Sequence, residues 1–161
     1  MARTIIVGLG NDILSDDAAG IHVARRLAPL LKETRGVAVV EATVGGIRLI
    51  ELLSGFDHAV IVDAIVRENE APGTILRFTM CDFSPTTRTG ALHDIDLPTA
   101  LEMAMRIGMS IPHEIELIAI VASDVLTVSE EMCPEVEAAV NKVVSGLADR
   151  FASWSAGNRL K

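Results

Sequence analysis

Apolar positions along the chain follow two rhythms. Predominantly apolar runs at residues 4–7, 37–40, 58–63 and 115–122 read as strands covered on both faces, as in parallel α/β sheets. A fifth strand is expected over residues 74–78, joined to the third by the polar turn 67–73. That link is too short for a helical crossover, so this strand is expected to run antiparallel. Helical spacing fills the gaps. Residues 17–32 place Val23, Leu27, Leu30 and Leu31 on one face. A short helix is expected over 47–53, ended by Ser54-Gly55, and another over 97–107 with Pro98 in its first turn. The last begins near Pro134 and carries Val136, Val140, Val143, Val144, Leu147 and Phe151 as its stripe. Glu135 and Glu137 sit near its N-terminus, where carboxylates are favoured.

Strands alternating with helices predict an α/β fold. Specifically, a three-layer α/β/α sandwich is expected around about five strands, mostly parallel with one antiparallel. The 161 residues suit one domain, placed at 1–153, with a flexible C-terminal tail at 154–161. No repeat or low-complexity segment interrupts it. Half the residues are apolar, so neither a disulfide nor a structural metal is needed for folding.

Charge narrows the function classes. Fourteen basic residues against 22 acidic give a net charge of −8, with 3% aromatic residues and no Tyr. Nucleic acid and anionic membrane surfaces are poor partners for such a chain. No apolar run reaches the ~18 residues needed to span a bilayer, and the N-terminal apolar stretch is too short for a signal peptide. Cys81 and Cys133 form no CxxC pair, which fits a reducing compartment. The cytoplasm is the expected location.

In sheets of this kind ligands gather at the C-terminal ends of the strands. Three polar features fall there. The first is Gly8-Leu9-Gly10-Asn11-Asp12-Ile13-Leu14-Ser15-Asp16-Asp17. Its glycines suggest a dinucleotide loop, but Ile13 stands where a third glycine is needed and the aspartates would repel a pyrophosphate. N-capping of the next helix is the plain reading of Asp16. Two adjacent carboxylates exceed what one cap needs, which makes Asp17 the better functional candidate. The second feature is Asp63, after an apolar strand, where a carboxylate is costly to bury without a partner. The third is His93, whose loop is able to fold over the same edge. His22, His58 and His113 read as structural. Two carboxylates and an imidazole suit a divalent transition metal with open coordination positions. Two thiols are too few for a Cys-rich zinc site. The competing readings are a cysteine hydrolase built on Cys81 and His93, and a non-catalytic flavin-, nucleotide- or partner-binding module.

These blocks together resemble the hydrogenase maturation endopeptidases. Gly8-Leu9-Gly10-Asn11 with Asp16-Asp17 and Gly20 is similar to that family's opening signature. Residues 41–46 resemble its Gly-rich turn, 60–64 its strand ending in Asp-Ala, 91–93 with Leu97 its His loop, and 134–140 its last helix. Ala18-Ala19 precede Gly20, Asp17 replaces a common Glu, and Glu41-Ala42 replaces Asp-Gly. Residues 118–122 lack the Gly-x-Gln/Glu-Pro usual after the last strand, so residues 123–132 diverge in a way that bears on the client. The resemblance implies an endopeptidase that removes the C-terminal extension of a nickel-loaded [NiFe]-hydrogenase large-subunit precursor. It implies Asp17, Asp63 and His93 as the nickel-reading ligands, with nickel supplied in the client and another divalent ion able to occupy the isolated protein. Asp17 and Asp16 are the candidate catalytic acids, Asp16 as the spare carboxylate base. Gly10, Asn11, Thr43 and Gly45 are the candidate substrate-binding residues, the Gly8-to-Asn11 loop offering N–H groups to an oxyanion.

Overall fold

The computed structural model describes residues 2–82 and 97–157, with side chains through Ser153. Five strands form one sheet: β1 (Thr4–Leu9), β2 (Val37–Ala42), β3 (His58–Ile65), β4 (Ile75–Thr79) and β5 (Glu114–Val121). The helices are α1 (Ala19–Leu31), α2 (Ile47–Leu53), α3 (Leu97–Arg106) and α4 (Pro134–Gly157). The sheet order is β2-β1-β3-β5-β4. All pairs are parallel except β4 with β5. The three-layer fold with one antiparallel strand is therefore the observed one. The short β3–β4 link does reverse the chain, but β4 pairs with β5 rather than with β3.

Side chains alternate across each strand, and the inner strands β1, β3 and β5 are largely buried on both faces, while the edge strands β2 and β4 are only partly covered. Ile6, Val60, Val62, Ile118 and Ile120 pack under α1 and α4. Ile5, Val7, Ala59, Ile61, Ile115 and Leu117 pack under α2 and α3. All six expected stripe residues of α4 are buried. On α1, Leu30 is instead exposed, while Val23, Leu27 and Leu31 are buried.

Several ends differ from the sequence expectation. β1 runs through Gly8 and Leu9, which were expected to be loop. β3 continues two residues beyond Asp63. The acidic pair lies in a 3-10 turn, Ser15–Ala18, ahead of α1. The backbone of α4 continues through Gly157, past the expected start of the tail at Trp154. No glycine or proline stands between Gly146 and Gly157 to stop it.

The reversal of strand order lies between β1 and β3. From β1 the chain moves outward to β2, then returns across β1 to β3. The crevice above the C-terminal ends of β1 and β3 is thus the topological switch point of the sheet. No described helix is long and apolar enough to cross a membrane.

Candidate functional site

Close packing at three glycines shapes this crevice. A Cβ at Gly8 would collide with the carbonyl oxygen of Gly20, and one at Gly20 with the carbonyl oxygens of Leu9 and Val62. The first turn of α1 therefore lies directly on the ends of β1 and β3. Gly10, at φ 151°, continues the approach, because a Cβ there would collide with the carbonyl oxygen of Asp17. The 3-10 turn that carries Asp16 and Asp17 is in this way pressed against β3.

Asp17 is 4% exposed and Asp63 is 2% exposed, so both carboxylates are held out of bulk water. The last residue of β3 paired with β1 is Val62, opposite Gly8. Asp63 is the next residue, just beyond that pairing, while β3 stays joined to β5 through the Asp63–Ala119 register. Its Oδ1 accepts the N–H of Ala64 at 2.9 Å. His93 lies outside the described residues. Among those described, no three His, Cys, Asp or Glu residues converge as a metal-binding group.

Asp16 does different work. It caps neither the 3-10 turn nor α1. Its Oδ2 accepts the backbone N–H groups of Ser123 (2.8 Å) and Asp124 (2.9 Å), and its Oδ1 accepts that of Cys133 (2.8 Å). The carboxylate is fully buried and holds both ends of the β5–α4 connection. The expected role as a free general base does not fit this geometry, since both oxygens are already occupied by three amide donors.

The remaining candidates are spread around the same edge. The N–H of Gly10 donates to the Ala42 carbonyl at 3.2 Å, so that amide is turned toward β2 and not toward a substrate oxyanion. Asn11 accepts the N–H of Ile13 through Oδ1 at 3.2 Å and turns the loop back. Thr43 is exposed and Gly45 half-buried, between β2 and α2. Arg25 of α1 holds Glu41 through two contacts, of 3.1 and 2.8 Å, and lies 3.6 Å from Asp12. The hydrogen bond to Glu41 is the main cause that raises the Arg25 pKa. This cluster ties the end of β2 to the acidic loop.

His58 and His113 lie at the opposite, N-terminal end of the sheet, where His58 Nδ1 is 3.1 Å from Glu114. A cavity of about 550 Å³ opens there, lined in part by Thr4, His58, His113 and Arg150, and it shares no residue with the switch-point crevice. His22, on α1, has its pKa lowered by burial first and then by Arg26 and Arg25. Burial is also the main cause that raises the pKa of the Cys133 thiol. Cys81 is exposed at the same N-terminal end, where it lines that cavity.

A profile of the family described as hydrogenase maturation protease matches residues 21–150. The chain belongs to that family. Its membership makes it an endopeptidase of hydrogenase maturation. The hydrogenase 2 maturation protease of Escherichia coli K12 is 26% identical over 121 residues, covering 74% of this chain and 73% of that one. Among solved structures, the maturating endopeptidase HybD of E. coli superposes with a TM-score of 0.72 at 24% identity, over 90% of this chain and 89% of that one. The [NiFe] hydrogenase maturation protease HybD of Thermococcus kodakarensis gives 0.70 at 26% identity, over 92% and 99%. The profile match includes Asp63 but begins after the acidic pair, so the role of Asp17 has to be argued from the geometry.

Proposed function

We propose that this family member removes the C-terminal extension of a [NiFe]-hydrogenase large-subunit precursor, and that it reads the client's nickel through Asp17, Asp63 and His93. The observation that carries the proposal is the burial of two carboxylates, Asp17 and Asp63, at the switch point of the sheet. Oxygen donors with one imidazole fit borderline divalent ions such as Ni(II). Three protein donors leave positions for the client's own groups. Bound in this way, nickel supplies Lewis acidity toward a carbonyl or a coordinated water. The chain's own part is to hold the two carboxylates rigidly, through the glycine crossing below and the Asp16 contacts beside them.

The test is direct. The precursor is mixed with this protein, with and without nickel loaded, and its mass is followed. Loss of a C-terminal peptide only from the nickel-loaded precursor is expected. Asp17→Ala, Asp63→Ala and His93→Ala should each lower kcat/KM by at least about a hundredfold, the scale of losing an interaction made in the transition state. Equal cleavage with and without nickel, or full activity in these variants, would overturn the nickel-reading role.

A further inference from the structure

The connection between β5 and α4, residues 123–133, has no regular secondary structure, yet it is fastened along its length. Asp16 holds both ends through Ser123, Asp124 and Cys133. The N–H of Asp16 in turn donates to the Asp124 carbonyl at 2.9 Å. In the middle, the Ser15 N–H donates to Ser129 O at 2.8 Å and the Ser129 N–H to Ile13 O at 3.0 Å. Ser15 Oγ donates to the Glu131 carbonyl at 3.0 Å. Ser15 is the one non-glycine with positive φ among the described residues, at 39°. Such a backbone is strained and persists where its surroundings enforce it. The loop tip is built too: Asp124 Oδ1 accepts the N–H groups of Leu126 (3.0 Å) and Thr127 (2.9 Å).

This ordered loop presents apolar side chains to solvent. Leu126 is 82% exposed and Val128 is 76% exposed. Ile13, joined to the loop through Ser129, is 52% exposed. Single exposed aliphatics are ordinary, but several on one rigid rim mark an interaction surface. The rim borders the turn that carries Asp17. What reaches that turn in an endopeptidase is a polypeptide, so the occupant is the client itself.

We infer that residues 123–133 are the client-reading element of this protease, with Leu126 and Val128 docking an aliphatic stretch of the precursor and Asp16 as the positioning residue that fixes the loop beside Asp17. This rests on the protease reading above. Specificity between clients is then set by apolar contact on a preformed loop, and the loop loses little entropy on binding.

Two variants test it against the nickel-loaded precursor. Leu126→Ser/Val128→Ser changes only exposed side chains. It should raise KM by about tenfold while kcat holds, because docking contacts are shared by ground and transition states. An unchanged KM would overturn the docking role. Asp16→Asn replaces one acceptor oxygen with an NH2 group that faces an amide donor. Faster hydrogen exchange at Ser123, Asp124 and Cys133 is expected, with a raised KM. Lost turnover with exchange and KM unchanged would overturn the positioning role and return Asp16 to proton transfer. Wild-type protein that fails to cleave any loaded precursor would sink the protease reading itself. Cleavage by the wild type with an unaltered KM in the surface variant would sink the loop's role alone.

Discussion

Gly20 shows how much a missing side chain decides. Its Cα lies where the first turn of α1 meets the carbonyls of Leu9 and Val62, and a methyl group would collide with both. Gly20→Ala is expected to destabilise the protein by about 3 kcal/mol, as overpacking against backbone does, read from urea midpoints. The residual folded protein should cleave poorly, since the helix start carries the Asp17 turn with it. Gly20 entered the sequence reading only through the family resemblance, and Asp17 and Asp63 through their polar character beside apolar strands; the structure buries both carboxylates. Asp63 stood out as a carboxylate after an unbroken apolar run. The partners of Asp16 were not legible. N-capping is a local pattern, whereas Asp16 accepts from amides 107 to 117 residues away, and no local rule points to them. The direction of the Gly10 N–H was not legible for the same reason, as it donates to the carbonyl of Ala42 on a neighbouring strand.

Among the described residues, Glu116 joins three elements electrostatically. On β5, it accepts from Arg77 of β4 and from Arg150 of α4, each at 2.6 Å. Burial alone would raise its pKa, but the two arginines outweigh burial and hold it below the ordinary glutamate value. A carboxylate with a depressed folded pKa adds stability above its unfolded pKa and loses it as pH falls through the folded value. Glu116→Gln should therefore lower the urea midpoint at pH 7, and the gap to wild type should close below about pH 4.5. A gap that widened on acidification would contradict the sign. Strand identity and the antiparallel sense of β4 followed from apolar runs and link length. That β5 would insert between β3 and β4 did not, because pairing partners are chosen by non-local contacts. Exact element ends depended on packing as well. The strand β1 extends through Gly8 because α1 covers that glycine, which its sequence pattern does not reveal.

At the scale of the whole molecule, two apolar layers on opposite faces of the sheet hold the fold. They need no metal. Chelator should leave the thermal midpoint of the isolated protein unchanged, measured by circular dichroism with and without it. Loss of activity toward a loaded precursor under the same conditions would then report on nickel in the client and not on folding. A large fall in the midpoint would show that metal is part of the fold. The net charge of −8 makes the surface repel phosphate-rich partners, leaving apolar rims such as Leu126 and Val128 to provide attraction.

The bond from the Cys133 amide to Asp16 has a consequence in the order of synthesis. Asp16 leaves the ribosome 117 residues before the amide it must receive. The β1–β3 half of the sheet is complete long before then, but the acidic turn has no loop to grip until β5 and the start of α4 have emerged. A nascent chain therefore carries the aspartates without their scaffold until β5 and the first turn of α4 have been made.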